Sequence, residues 1–201
     1  MTIIIALKDQ KENCIWFASD GQGTAGDTIK DFGSKLFILN IPQINCDNNE
    51  EEFITLHIGV SGSHFLTSYL QHSFDPPSID TRWNFISYLY NQFFQQLQEE
   101  LSLHKLLKDD DGVLDSESNL IIIYNNEIYN IYNDFSITHE TEEYSCIGSG
   151  WIMGEAILHN LLTYHNTMKH EDMIKETMGT IADKNVYCNN KITIKKIKKK
   201  E

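Results

Sequence analysis

Thr2, Asp20 and Lys35 are the residues whose types could do chemistry together. Once the initiator Met1 is removed, a threonine carries both halves of a nucleophile and base pair. Its hydroxyl attacks, and its α-amino group, with an unperturbed pKa of about 7.7 to 8.0, takes a proton. No histidine partner is then required. An ammonium at Lys35 would lower the pKa of that amine by like-charge repulsion, and a carboxylate at Asp20 would hold the lysine in place. Threonine at a second position is common, and a lone Asp or Lys usually sits at a turn or on a solvated face. The trio therefore draws its weight from the elements that must position it.

Thr2-Ile3-Ile4-Ile5-Ala6-Leu7 and Cys14-Ile15-Trp16-Phe17-Ala18-Ser19 read as two buried strands joined by the polar loop Lys8 to Asn13, with Asp20 ending the second. Lys35 opens a third strand over 35–41, and a fourth covers 53–60. The Asn, Asp and Glu content of Pro42 to Glu52 marks a surface loop between them. Gly62 breaks the fourth strand, and Ser63 can cap a helix running to about His72. After the break Asp75-Pro76-Pro77-Ser78, apolar residues from Ile86 to Leu101 recur at helical spacing. Residues 120–124 and 127–132 predict a second hairpin turned by Asn125-Asn126. Two helices over 151–164 and 172–181 follow, then strands at 186–188 and 191–197. Runs of strands separated by helix pairs predict an α+β domain of antiparallel sheets with segregated helices, not an alternating α/β fold.

The segments around the trio resemble the N-terminal region of proteasome β subunits and the bacterial peptidase HslV, which are N-terminal-nucleophile threonine proteases. The resemblance is carried by Thr2 to Leu7, Ala18-Ser19-Asp20-Gly21-Gln22-Gly23-Thr24-Ala25-Gly26 and Lys35-Leu36-Phe37-Ile38-Leu39. Three further segments follow in the family's order: Gly59-Val60-Ser61-Gly62-Ser63, Ile147-Gly148-Ser149-Gly150, and Val186-Tyr187-Cys188-Asn189 after Asp183. Ordered co-occurrence of short motifs is far more specific than any one of them. Two departures stand out: a first hairpin loop about two residues longer than in HslV, and an insertion over roughly Asn40 to Glu52.

The resemblance implies a four-layer αββα Ntn-hydrolase sandwich, two antiparallel sheets between helix layers, spanning 1–201 with a short basic tail at about 195–201. It implies a threonine-type endopeptidase acting on unfolded polypeptides inside a homo-oligomeric ring, hexameric or heptameric, fed by a separate AAA+ ATPase. Thr2 is then the nucleophile, with Asp20, Lys35, Ser149 and Asp183 around it and the Gly62 N–H holding the oxyanion. Thr24 would pair an extended substrate, and Gly23, Gly33 and Val60 would line the specificity pocket. The rival reading is a catalytically silent ring subunit with a structural role, which an uncleaved Met1 would favour.

Composition narrows the field. At 201 residues and 41% hydrophobic content, the chain can bury one ordinary core. A net charge of -13 argues against nucleic acid as a partner. No apolar run approaches the roughly 20 residues of a membrane span, and no secretory pattern opens the chain, so a cytoplasmic protein with no membrane partner is expected. Cys14, Cys46, Cys146 and Cys188 lack CxxC spacing, which fits reduced thiols. The acidic clusters at Asn48 to Glu52, Asp109 to Asp111 and Glu140 to Glu143 read as solvated loops. The histidines have no HxxxH spacing, so no metal and no cofactor is expected. Gly21-Gln22-Gly23-Thr24-Ala25-Gly26 formally matches GxGxxG, but the chain reaches the strand at Lys35 too soon for the helix a dinucleotide site needs.

Overall fold

The computed structural model describes residues 2–25, 28–31, 33–45, 50–110 and 113–199. Met1, Cys46 and parts of two acidic clusters (Asn48, Asn49 and Asp111) lie outside the described residues. In chain order the first elements are β1 (Ile3–Asp9), β2 (Cys14–Asp20), β3 (Gln22–Ala25), β4 (Thr28–Asp31), β5 (Leu36–Asn45) and β6 (Glu50–Ser61). Next come α1 (His64–His72), β7 (Ile79–Asp80), α2 (Phe85–Tyr88) and α3 (Phe94–Leu103), the last two joined by a π-turn over Leu89–Phe93. There follow β8 (Lys108–Asp110), β9 (Val113–Asp115), β10 (Asn119–Tyr124), β11 (Glu127–Ile131), β12 (Ile137–His139) and β13 (Tyr144–Gly148). The chain closes with α4 (Trp151–Tyr164), α5 (His170–Lys184) and β14 (Ile192–Lys198).

Two sheets stack face to face. The first has the order β13-β1-β2-β14 and is antiparallel throughout. The second has the order β12-β11-β10-β6-β5-β7, antiparallel except for the short parallel pair of β5 with β7. Ile3, Ile4, Ile5, Ala6 and Leu7 are all 0% exposed, so β1 is buried on both faces, which is why it reads as an unbroken apolar run. Ile3, Ile5 and Leu7 pack with Leu158, Ile174 and Ile181 of α4 and α5. Ile4 and Ala6 pack the other way, with Leu36, Ile121 and Ile123 of the second sheet. The far face of that sheet, through Leu56, Ile58 and Ile122, meets Leu66, Phe93 and Leu97 of the remaining helices. The result is the expected four-layer α+β sandwich of helices, two sheets and helices.

Several local expectations are corrected. The segment read as a surface loop, Pro42 to Glu52, is largely ladder: β5 continues through Pro42 to Asn45, with Gln43 opposite Glu52 and Ile44 opposite Glu51. A polar stretch of chain still satisfies its backbone donors and acceptors by strand pairing. Residues 186–188 form no strand; the Cys188 N–H donates to the Asn185 carbonyl at 3.0 Å in a turn. The helix expected over 86–101 is interrupted by the π-turn. β12 and β13 went unforeseen, as did the small hairpins β3/β4 and β8/β9. Among the described residues no helix is long and apolar enough to cross a membrane.

Candidate active site

Register brings the trio together. β1 and β2 are antiparallel with Ile4 opposite Ser19, so the next residue of β2, Asp20, lies beside the start of β1 although 18 positions separate it from Thr2. The Ile3 N–H donates to Asp20 Oδ1 at 3.0 Å, locking that alignment. Lys35 stands one residue before β5, in the facing sheet, and reaches across.

The Thr2 hydroxyl donates to Asp20 Oδ1 and accepts from Lys35 Nζ. Lys35 Nζ also lies 3.0 Å from Asp20 Oδ1 and donates to the Gln22 carbonyl. Asp20 Oδ2 accepts from the Gln22 N–H at 3.1 Å. Asp20 is 1% exposed and Thr2 2%. A carboxylate so buried is tolerated only with a cation and donors around it, and here it has one ammonium, two backbone N–H groups and a hydroxyl. The hydroxyl is thus held between a fixed anion and a fixed cation, and the adjacent ammonium favours its deprotonated form.

Thr2 opens onto a cavity of about 440 Å³ lined also by Ser61, Gly62, Ser63, Glu117, Asn119, Gly148 and Ser149. Gly62 lies at φ +118°, and a Cβ there would come within 2.2 Å of the Glu117 carbonyl oxygen. Only glycine fits this turn. Its N–H lies one residue beyond the last ladder pair, Ser61 with Asn119, at the cavity wall. Ser149 Oγ donates to the Thr2 carbonyl at 3.3 Å, and Asn185 Nδ2 donates to the Ser149 carbonyl at 3.2 Å.

Thr2, Asp20, Lys35, Gly62 and Ser149 therefore share one site. Asp183 does not join them: it is exposed on the last turn of α5 and makes no hydrogen bond or ion pair with the described residues. Gly23 and Thr24 pair with Lys30 and Ile29 in the β3/β4 hairpin, and the Thr24 side chain lies outside the described part. Gly33 is exposed at φ +75°. Val60 is 1% exposed, in the apolar layer between the second sheet and its helices.

Sequence reasoning overlooked the Ser116 to Asn119 turn, where the buried Ser118 Oγ accepts from the Ser63 N–H at 2.9 Å and props the Gly62 wall. Its signal was a polar run directly before an apolar strand. Cys188 also sits beside the trio. Burial, reinforced by the Asp20 charge, pushes its thiol up to about 11, so it stays protonated and is no rival nucleophile. Cys14, Cys146 and Cys188 are free thiols. Among the described residues, one group could hold a metal ion: Asp9, Glu12 and Cys14, with ligand atoms within 4.8 Å of one another. It lies at the opposite end of β1 from Thr2, and the Lys196 ammonium already bonds Glu12.

No protein-family model matches this chain, and no curated protein matches its sequence. Solved structures do match its fold. The Thiobacillus denitrificans protein BPH in complex with epoxomicin superposes on 99% of this chain and 100% of its own, with TM-score 0.70 and 12% identity. Eukaryotic HslV from Trypanosoma brucei covers 98% of this chain and 99% of its own, at TM-score 0.63 and 17% identity. Anbu (ancestral beta-subunit) from Yersinia bercovieri covers 98% and 81%, at TM-score 0.63 and 15% identity. At these identities the likeness establishes the fold alone: the three proteins share this chain's sandwich of two sheets between helix layers.

Proposed function

We propose that the chain is a threonine-type endopeptidase whose nucleophile is Thr2 after removal of Met1. The observation that carries this reading is the placement of the Thr2 hydroxyl between Asp20 Oδ1 and Lys35 Nζ at the mouth of a polar cavity. The Thr2 oxygen attacks the scissile carbonyl carbon, and its proton passes to the freed α-amino group, directly or through a water. The Lys35 ammonium stabilises the negative charge that grows on the oxygen as it loses its proton, and Asp20 holds Lys35. The tetrahedral oxyanion is met by the Gly62 N–H, a type of contact worth a factor of about 100 to 1,000 in rate. Collapse expels the amine of the leaving peptide with the proton from the α-amino group. Water then attacks the resulting ester, releases the carboxylic acid and restores Thr2. Ser149, through the Thr2 carbonyl, fixes the end of the chain that reacts.

The protein works in a self-assembled homo-oligomeric ring on unfolded polypeptides delivered by a separate ATPase. The proteasome-like fold supports this part of the reading, as do the apolar side chains Trp151, Ile152, Val186 and Tyr187, which this chain leaves exposed. The test is turnover of a fluorogenic peptide by purified protein. Wild type hydrolyses it and Thr2→Ala does not, while Thr2→Ser retains partial activity because it keeps both hydroxyl and amine. Epoxomicin, held by the Thiobacillus protein, is the matching probe: it stops turnover and binds wild type but not Thr2→Ala. Equal activity in wild type and Thr2→Ala would end this reading.

A further inference from the structure

A second cavity of about 360 Å³ opens beside the Thr2 cavity and shares two wall residues with it, Asn119 and Gly148. Its remaining wall includes Tyr132 and Trp151, 43% and 47% exposed, and the carboxylates of Glu140 and Glu155. We propose that this cavity is the subsite for a lysine or arginine side chain of the polypeptide substrate, its stem lying along Trp151 and its cationic head between Glu155 and Glu140. The assignment deepens the protease reading and rests on it.

Three features point the same way. The side chain of Glu155, half-buried on the second turn of α4, forms no hydrogen bond or ion pair with the described residues. Burial and the neighbouring charge of Glu140 both push its carboxyl upward. A carboxylate kept in this condition gains when a cation arrives. Second, Glu140 is held in position. Its Oε2 accepts from Asn130 Nδ2 at 3.1 Å, and Asn130 Oδ1 accepts from Ser145 Oγ at 2.7 Å; Asn130 and Ser145 are 6% and 3% exposed. This buried relay fixes the carboxylate before any ligand is present, which reduces what binding must order. Third, Trp151 presents a large aromatic surface at the cavity. Indole is the best aromatic partner for ammonium or guanidinium, and long basic side chains pack their apolar stems on such surfaces while the head seeks charge.

The experiment compares peptides that carry arginine, norleucine or glutamate at each position flanking the cleaved bond. At one position arginine is favoured over norleucine in kcat/KM by about tenfold, the equivalent of one partly buried ion pair. Glu155→Gln removes that preference, bringing arginine and norleucine peptides to within about twofold of each other in kcat/KM. An active enzyme without cationic preference at any position, or one whose preference survives both Glu155→Gln and Glu140→Gln, overturns the subsite and leaves the protease reading intact. If no peptide is hydrolysed, n-butylguanidine is titrated against the same protein while tryptophan emission is followed. A saturable change, present in wild type and lost in both Glu155→Gln and Trp151→Phe, upholds the cationic subsite where the protease reading has failed. No saturable change overturns the subsite as well.

Discussion

Gly148 touches Thr2 so closely that a Cβ at position 148 would stand 2.2 Å from the Thr2 carbonyl oxygen, and Gly148 holds φ at +96°. The end of β13 thereby presses on the residue proposed as nucleophile, while Ile3 pairs with Gly148 in the ladder. Gly148→Ala must strain the backbone or push Thr2 aside. We expect a loss of about 1 to 3 kcal/mol in stability by urea denaturation, with a proportionally greater loss of turnover because the displaced atoms belong to Thr2. Gly179, inside α5 with open space where a Cβ would go, is the control. There, Gly179→Ala raises stability by about 0.5 to 1 kcal/mol through helix propensity alone.

The Asp20–Lys35 pair is buried, with side chains 1% and 13% exposed and a 3.0 Å separation. Removing one partner leaves an uncompensated charge, so Asp20→Ala is expected to cost about 3 to 5 kcal/mol. Asp20→Ala combined with Lys35→Met removes both charges and recovers much of that loss, while activity stays absent. Equilibrium unfolding of the two single variants and the double variant measures the coupling directly; additive effects would mean that the pair is not coupled.

The double burial of β1, the first hairpin and both C-terminal helices were legible because unbroken apolar runs and helical periodicity survive in the residues themselves. The convergence of Thr2, Asp20 and Lys35 was not readable from spacing, since it depends on the Ile4–Ser19 register and on how closely two sheets stack. It entered through family resemblance. β12 and β13 were missed because Ile137-Thr138-His139 and Tyr144-Ser145-Cys146 mix polar and apolar residues, their partners being β11 on one side and β1 on the other. The Pro42 to Glu52 segment misled in the other direction: polar residues in a paired hairpin arm look like a loop. Val60, expected at the specificity pocket, alternates instead toward the helix layer because Ser61 occupies the cleft wall.

The proposed mechanism requires a free Thr2 amine. Intact-mass measurement of the purified native protein is therefore expected to show loss of one methionine, since aminopeptidases accept a small second residue. Retention of Met1 throughout would remove the proposed base and favour the silent-subunit reading. Light scattering on the same sample is expected to give at least six subunits, and a strict monomer at micromolar concentration would defeat the compartment model.

Cys188 supplies a pH test. Its folded thiol is pushed up to about 11 from an ordinary value of 9.0, so the folded state holds the proton more tightly than the unfolded chain. Its contribution to stability is thus full below about pH 9 and is lost as pH rises toward 11. Iodoacetamide at pH 8 is expected to leave Cys188 unmodified, by peptide mass mapping, and to leave turnover unchanged. Rapid alkylation with loss of activity would mean that this thiol is exposed or activated.

Lys35 bears most directly on the mechanism, because its Nζ contacts the Thr2 hydroxyl, Asp20 and the Gln22 carbonyl at once. If it stabilises the oxygen as the proton leaves, Lys35→Ala abolishes peptide hydrolysis about as fully as Thr2→Ala, since members of one catalytic unit are strongly non-additive. Lys35→Arg is expected to fail too despite keeping its charge. The guanidinium is planar and larger, and cannot take three partners from the position of a compact ammonium. Circular dichroism and gel filtration separate this from misfolding, since Lys35→Ala leaves the buried Asp20 charge with only the Thr2 hydroxyl and its two backbone donors. Near-normal turnover in Lys35→Ala, with Thr2→Ala inactive, would remove Lys35 from the mechanism and leave the α-amino group to work unaided.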